Sequence, residues 1–272
     1  MATLILGGSG FLGRHLVEGL DNVIAPPHKE LDLLKDSVSD YVRGKKIDCI
    51  VNAAGYGVYG QELPDMVEQN MRMIANIAKA PVELVINVAS GAVYGKHQNI
   101  VKVKETKIST PPVDRYGFAR WLGAEYLLFK RKHIANLCPF GIFGKYEDPD
   151  YRFISNAITR TLRGEPIIIY RDARFTYQPV EHFVAQVKRL ISLKQVRGYY
   201  NTGGFDTTLR ELAVMVGKAS GKRVEITMLD NDTGYEYTCN SDKIDCFGVE
   251  PKLSLEKAVS NLYKWHARNT TL

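Results

Sequence analysis

Leu4-Ile5-Leu6-Gly7-Gly8-Ser9-Gly10-Phe11-Leu12-Gly13-Arg14-His15-Leu16-Val17 is an apolar run that breaks into glycines and resumes as an amphipathic segment. This change of pattern predicts a buried strand, a turn and a helix. Gly7, Gly10 and Gly13 follow the spacing Gly-x-x-Gly-x-x-Gly across the turn. Such a turn suits the pyrophosphate of a dinucleotide, because glycines allow the bend, the close approach of the anion to the helix N-terminus and the packing of helix on strand.

The position of the glycines directly after an apolar strand favours a dinucleotide site. A turn that only joins two elements is the alternative, because glycine triplets also occur in ordinary loops. The residues that we assign to the cofactor in this stretch are Gly7, Gly10, Phe11, Leu12, Gly13 and Arg14.

The composition predicts a globular protein with a small anionic ligand. The chain has 272 residues, 45% of them hydrophobic, and a formal net charge of +6, which suits one large or two small domains. Lysine and arginine are scattered, so we expect no nucleic-acid partner. The sequence contains no run of about eighteen apolar residues, so it predicts no membrane span. The four cysteines and six histidines lack metal-ligand spacing, so we expect no metal site and a cytoplasmic location.

Apolar runs alternate with helix-like segments over the first half of the chain. This alternation predicts an α/β fold, a doubly wound parallel (Rossmann) sheet. Small residues follow the run that ends at Val51, and they would let a cofactor lie close to the backbone, so Ala53 and Ala54 are assigned to the cofactor. The predicted strands cover residues 4–6, 22–25, 48–51 and 82–90.

The end of the second strand bears on the choice between NAD and NADP. In NAD enzymes an acidic residue there bonds the ribose 2′-hydroxyl. Here the segment 26–29 is Pro-Pro-His-Lys, with no carboxylate before Glu30. A 2′-phosphate would meet Arg14, His28 or Lys29, so NADP is favoured and NAD is the alternative. Asp32 is assigned as a further cofactor contact.

A serine and a tyrosine are candidates for acid and base chemistry. Ser90 ends the fourth strand, and Tyr116 begins a later helical stretch in which Arg120 shares its face, since residues i and i+4 of a helix lie on one side. A cation beside a phenol stabilises phenolate. The spacing alone does not decide, because Tyr126 and Lys130 share it, but only Tyr116 follows a strand-ending serine.

Together, the glycine turn, Asn52-Ala53-Ala54, the segment Ser90 to Gly95 and the Tyr116 helix resemble the extended short-chain dehydrogenase/reductases that act on nucleotide sugars. Segments 28–34, 69–71 and 208–213 resemble the branch with GDP-fucose synthase and dTDP-4-dehydrorhamnose reductase, which are 4-keto-sugar reductases. The expected organisation is a Rossmann domain at residues 1–140, with a return strand near 170–182. A smaller C-terminal α/β substrate-binding lobe is expected at 141–169 and 183–272.

The resemblance also implies roles for single residues. Ser90 and Tyr116 are expected to be catalytic, with Arg120 where the family has lysine. That arginine keeps the charge but not the shape or the ability to release a proton. Phe175 stands where the family often has an arginine for the substrate, and Arg174 is the candidate replacement. The residues assigned by this resemblance are Ser90, Tyr94, Arg152 and Arg174 for the substrate, and Arg120 and Pro139 for the cofactor.

The favoured function is reduction of a 4-keto nucleotide-diphosphate sugar by NADPH, with Tyr116 as general acid. The alternatives are an epimerase or dehydrogenase with tightly bound NAD, and a non-catalytic nucleotide-binding protein. The family pairs subunits through the Tyr116 helix, which implies a homodimer. Packing of that helix face inside the subunit is equally compatible with the sequence.

Overall fold

The helices and strands were located in a computed structural model, which describes residues 2–58, 60–61, 63–108, 110–230 and 234–269. The strands are β1 (Ala2–Leu6), β2 (Val23–Ile24), β3 (Ile47–Asn52), β4 (Leu84–Val88), β5 (Ile100–Val103), β6 (Ile134–Pro139), β7 (Gly141–Phe143), β8 (Ile167–Arg171), β9 (Arg174–Pro179), β10 (Arg197–Thr202), β11 (Phe205–Thr208), β12 (Ile226–Asp230) and β13 (Glu236–Cys239). The helices are α1 (Phe11–Gly19), α2 (Val38–Val42), α3 (Met66–Ala78), α4 (Arg115–Lys130), α5 (Phe153–Leu162), α6 (Val180–Leu193), α7 (Leu209–Ser220), α8 (Asp242–Asp245) and α9 (Leu255–Asn269). Short 3-10 helices cover Gly91–Tyr94 and Glu105–Lys107.

The main sheet is parallel and has helices on both faces. Its strand order is β10-β6-β4-β3-β1-β2, and every pair in it is parallel. Along β1, Ile5 packs with α1 and α6 on one face, whereas Leu4 and Leu6 pack with α2, α3 and α4 on the other. Side chains alternate between the faces of a strand, so two apolar layers need the continuous apolar runs seen in the sequence. The predicted doubly wound fold is confirmed.

A second sheet lies in the later part of the chain. It has five strands, in the order β11-β9-β13-β5, with β7 paired to β9. Strands β8 and β12 form a separate parallel pair. Helices α5, α7 and α9 bury their apolar faces against one another and against β8. Among the described residues, no helix has the length and apolar character to cross a membrane.

Two strands lie in a different sheet from the one that the sequence predicts. Segment 170–182 is expected to return to the main sheet, but β9 pairs with β11, β13 and β7 in the second sheet. Strand β10, expected in the lobe, pairs with β6 at the edge of the main sheet. The reason is α6, which packs on α1 and carries the chain back to the main sheet only after β9. The division into two domains stays a prediction.

Three buried asparagines link the central strands to α4. Asn52 donates to Asn87 and Asn87 donates to Asn136, each over 2.9 Å. Asn136 in turn donates to the Ala124 carbonyl of α4 over 3.1 Å. Buried amides must be hydrogen-bonded to be tolerated. This asparagine ladder therefore fixes β3, β4, β6 and α4 relative to one another.

Replacing Asn87 with leucine is expected to destabilise the protein strongly. The change leaves the Asn52 amide and the Asn136 carbonyl oxygen without their ladder partner, at about 1–3 kcal/mol for each unpaired group. The free energy of unfolding, measured in urea, checks this. Asn269→Leu is the control, because its amide bonds Trp265 at an exposed position where water can replace it. A loss no larger for Asn87→Leu than for the control would contradict the account.

Candidate active site

The glycine turn has the geometry of an anion cradle. Gly7 has a φ of +80°, and a Cβ there would lie 2.7 Å from the backbone nitrogen of Ala54. A Cβ at Gly13 would collide with the Gly7 carbonyl oxygen. Gly10 precedes α1, where a Cβ would make only an ordinary contact, 3.5 Å from the Gly7 carbonyl oxygen, and no side chain caps the helix. The backbone N–H groups at the N-terminus of α1 are thus accessible to a pyrophosphate, and these residues fit a dinucleotide.

Arg120 reaches from α4 to the same edge of the main sheet. Its Nη1 lies 3.5 Å from the carbonyl oxygens of Ala54 and Val88, at the ends of β3 and β4. The guanidinium fills the space beside Gly55, where a Cβ would collide with it. The guanidinium carbon is 5.2 Å from the Tyr116 ring centroid. The structure therefore brings together Arg120, Tyr116 and the backbone predicted to face the cofactor.

Ser90 and Tyr116 lie on segments that touch each other. Ser90 follows β4 and begins the 3-10 helix Gly91–Tyr94, where its Oγ accepts the N–H of Ala92 over 3.1 Å. Helix α4 begins where the Asp114 carboxylate accepts the N–H of Gly117 over 2.7 Å. A Cβ at Gly117 would lie 2.7 Å from the Ala92 carbonyl oxygen. Glycine there lets the start of α4 pack closely on the turn that carries Ser90.

An aromatic side chain from the second sheet closes this region. Tyr237 of β13 is fully buried, and its hydroxyl occupies the space over Gly91. Its ring lies 4.5 Å from that of Phe140 and 6.0 Å from that of Phe175, between centroids. Burial is the main cause that raises the pKa of Tyr237 well above its ordinary value, and the neighbouring Tyr116 raises it further. Tyr237 is absent from the residues predicted from the sequence, because nothing in its short strand tells which sheet it joins.

Tyr94 and Arg152, both predicted to bind the substrate, have surroundings that differ from each other. The hydroxyl of Tyr94 donates to Asn201 of β10 over 2.7 Å, inside the protein. Arg152 precedes α5, and its charge acts on Lys96 and on the buried Glu147. Burial raises the pKa of Glu147 to about 7, although a hydrogen bond from Ser155 opposes the shift.

The structure does not bring Arg174 together with Ser90, Tyr116 and Arg120. Phe175, its neighbour on β9, contacts the Tyr237 ring, and successive side chains of a strand point to opposite faces. The charge of Arg174 acts instead on Glu211 of α7. Its assignment to the substrate stays a prediction without support from this geometry.

The segment predicted to choose the cofactor begins beside the glycine turn. A Cβ at Gly8 would lie 3.0 Å from that of Ala25, just after β2. His28 and Lys29 are exposed a few residues further on. Arg14 donates to the Ser9 carbonyl over 2.9 Å. Asp32 accepts the N–H of Leu34 over 3.0 Å, a bond that lowers the pKa of the carboxyl group.

Three further features bear on the predictions made from the sequence: Pro139, the possible metal ligands and the cysteines. Pro139 ends β6, next to β4 in the main sheet. Within the described ranges, no three His, Cys, Asp or Glu side chains could hold a metal ion together. All four cysteines are free, three of them buried.

A family model described as NAD dependent epimerase/dehydratase family matches residues 3–184. The match covers the glycine turn, Ser90, Tyr116 and Arg120. The chain belongs to the NAD-dependent epimerase/dehydratase family. The narrower resemblance to 4-keto-sugar reductases stays a prediction.

Three known proteins resemble the chain over nearly its full length. A putative UDP-glucose 4-epimerase of Methanocaldococcus jannaschii is 24% identical over 98% of both chains. UDP-glucuronic acid 4-epimerase from Bacillus cereus, solved with UDP-glucuronic acid and NAD, is 19% identical at a TM-score of 0.82, over 98% of this chain and 99% of that one. dTDP-glucose 4,6-dehydratase from Bacillus anthracis, solved with NAD, is 17% identical at a TM-score of 0.79, over 99% and 97%. At these identities the two structures show a shared fold.

If NADP is preferred over NAD, replacing Lys29 or His28 with alanine should weaken NADP selectively. Removing one charge-assisted hydrogen bond to the 2′-phosphate is expected to cost about 1.5–3 kcal/mol before solvent screening. Titration of both cofactors gives the dissociation constants. Lys46→Ala is the control, because Lys46 is exposed just before β3, at the end of the strands opposite to the glycine turn. Equal affinities for NAD and NADP, unchanged by either substitution, would contradict the preference.

Proposed function

We propose that this protein acts on a nucleotide-diphosphate sugar with NAD, as a sugar epimerase or dehydratase, by oxidising a hydroxyl-bearing carbon of the sugar. One observation carries the proposal: Arg120 lies against the Tyr116 ring at the strand ends that face the glycine turn. A dinucleotide cradle and an acid/base tyrosine thus share one edge of the sheet. Membership of the NAD-dependent epimerase/dehydratase family supports the same chemistry.

Tyr116 is the proton-transfer residue of this proposal. Removing hydrogen from an alcohol carbon requires a base that accepts the hydroxyl proton, and the phenol oxygen of Tyr116 takes that role. The guanidinium lies 5.2 Å from the ring centroid, where its positive charge would oppose the negative charge that forms on the oxygen during proton transfer. Arginine keeps its proton at any working pH, so that charge is always present.

Ser90 orients the reacting oxygen. Its Oγ already accepts the N–H of Ala92, so its own hydroxyl proton would be available to an oxygen of the substrate. A hydrogen-bond donor contributes most to catalysis when it points at the atom on which negative charge develops in the transition state. Ser90 would therefore hold the sugar oxygen beside Tyr116 during proton transfer.

The residues of the glycine turn would hold the cofactor. The pyrophosphate would lie on the turn formed by Gly7, Gly10 and Gly13. The small side chains of Ala53 and Ala54 would let the cofactor lie close to the backbone, and Arg120 would reach the nicotinamide ribose. Bound NAD supplies the hydride acceptor. The family and the cofactor of the related structures favour NAD, and a preference for NADP stays a prediction.

Reduction of a 4-keto sugar by the same residues is the second candidate. Arg120 is the observation that favours it: reduction needs Tyr116 only to donate a proton, so a cation that supports phenolate less well than the family lysine would suffice. A non-catalytic nucleotide-binding role has the same motive, but the presence of both Ser90 and Tyr116 argues against it.

Tyr116→Phe should lower turnover of nucleotide sugars by roughly 10²–10⁴-fold, with cofactor affinity retained, because only the phenol oxygen is removed. Product formation is followed by chromatography of the nucleotide sugars. Tyr126→Phe is a matched control on the same helix: Lys130 lies 5.7 Å from the Tyr126 ring centroid, so it has the same spacing to a cation without Ser90.

The role of the cation is tested in parallel. Arg120→Lys should keep cofactor binding and activity, whereas Arg120→Met should weaken cofactor binding and turnover together. Lys130→Met is the control. Normal turnover in Tyr116→Phe, or in Arg120→Met, would refute the role given to that residue.

A further inference from the structure

Gly55 lies just after β3, in contact with the guanidinium of Arg120. A Cβ built on Gly55 would lie 2.2 Å from Nη2, 2.8 Å from Cζ and 2.9 Å from Nη1 of Arg120. These atoms are its three nearest neighbours, and each distance is shorter than the contacts that real Cβ atoms make. The guanidinium therefore occupies the place where any other residue at position 55 would carry its side chain.

The backbone of Gly55 does not itself require glycine. Gly7 has a φ of +80° and needs glycine for its conformation, whereas the φ of Gly55 lies outside the left-handed region. Gly55 is also exposed, so a methyl group there would not enter a packed core. The contact with Arg120 is thus the feature of the structure that accounts for a glycine at this position.

The backbone on both sides of Gly55 is held by asparagine side chains. The N–H of Ala54 donates to the Asn52 side chain over 3.2 Å. Asn70 of α3 accepts the N–H of Tyr56 over 3.1 Å and donates to the Tyr56 carbonyl over 2.8 Å. Because these bonds anchor the two neighbours, a methyl group at position 55 would displace the flexible arginine side chain rather than the backbone.

The Arg120 guanidinium has little free space into which it could retreat. A cavity of about 10 Å³ adjoins it between α3 and α4. A space of this size holds at most one water molecule, so it is too small for a guanidinium. A displaced Arg120 would have to leave the carbonyl oxygens of Ala54 and Val88, which now lie 3.5 Å from its Nη1. Its charge would then move away from the strand ends.

A lysine at position 120 would be less crowded by a side chain at position 55. Lysine ends in a single nitrogen, near the place of the arginine Cζ, and has no counterpart of Nη2, the atom that makes the 2.2 Å contact with the Cβ position. Its ammonium is also compact and flexible, whereas the guanidinium is a rigid planar fork. A small side chain at position 55 is therefore compatible with lysine at position 120, but not with arginine in the observed position.

We propose that Gly55 is a positioning residue: its missing side chain is what allows an arginine, in place of the lysine of the family pattern, to lie beside Tyr116. Gly55 acts through Arg120 and takes no part in proton transfer. The expected effect on turnover rests on the proposed function. The placement of the guanidinium does not, because it can be measured without substrate.

The placement of Arg120 is measured by NMR of protein without nucleotide, with arginine labelled with nitrogen-15. Arg120→Lys identifies the Nε–Hε signal of Arg120 by its absence. That signal reports on the Tyr116 ring, which lies 5.2 Å from the guanidinium carbon, because an aromatic ring shifts the resonances of nearby protons. Gly55→Ala is expected to move the signal. Gly217→Ala is the control, since a Cβ at Gly217 of α7 would make only ordinary contacts with Val224.

The consequence for function is measured in the wild type, Gly55→Ala, Arg120→Lys and the double variant. Calorimetry gives the affinity for NAD, and chromatography gives the turnover of UDP-glucose, UDP-glucuronic acid and dTDP-glucose. Gly55→Ala is expected to weaken both by about ten-fold when position 120 is arginine, within the range of coupling between residues in contact. When position 120 is lysine, the same change is expected to cost less than about two-fold.

An Arg120 signal that stays in place in Gly55→Ala would overturn the positioning role, as would equal losses with arginine and with lysine at position 120. Loss of folding in Gly55→Ala and in the double variant would also overturn it, because glycine would then be needed by the fold. If the wild type converts none of the sugars, the proposed function fails. A moved signal and an affinity for NAD restored by lysine would still support the role of Gly55.

Discussion

The hydrogen bonds between Asn52, Asn87 and Asn136 are the constraint on which the site depends. They cross three neighbouring strands and end on the backbone of α4, the helix that carries Tyr116 and Arg120. At the other end, the Asn52 side chain accepts the N–H of Ala54 over 3.2 Å, next to the glycine turn. One buried network thus fixes both the backbone beside the glycine turn and helix α4, and each amide in it is costly to leave unpaired.

Local patterns predicted the features that depend on local chemistry. The glycines after β1 and the apolar runs of the main sheet required no knowledge of distant residues. The shared face of Tyr116 and Arg120 follows from helical spacing, and the contact between them agrees with it. The sheet membership of β9 and β10 did not follow, because short alternating strands do not encode their partners. Tyr237 was missed for the same reason: it meets the site through contacts between residues far apart in the chain.

Arg120 is where the family pattern and this chain differ most informatively. Its guanidinium is held by backbone carbonyls at the ends of two strands and by contact with the Tyr116 ring. Those contacts place a permanent charge where a lysine would place a more adaptable one. The position of the charge is thus kept while its chemistry is altered, which fits a retained reaction better than a lost one.

Transfer of deuterium tests the central claim most directly. The protein is mixed with NAD and a nucleotide sugar deuterated at its ring carbons, the reaction is quenched during the first turnover, and the nicotinamide is analysed by mass spectrometry. The account predicts deuterium on the reduced nicotinamide in the wild type, and far less in Tyr116→Phe. A cofactor that binds but gains no deuterium while the sugar is converted would contradict it.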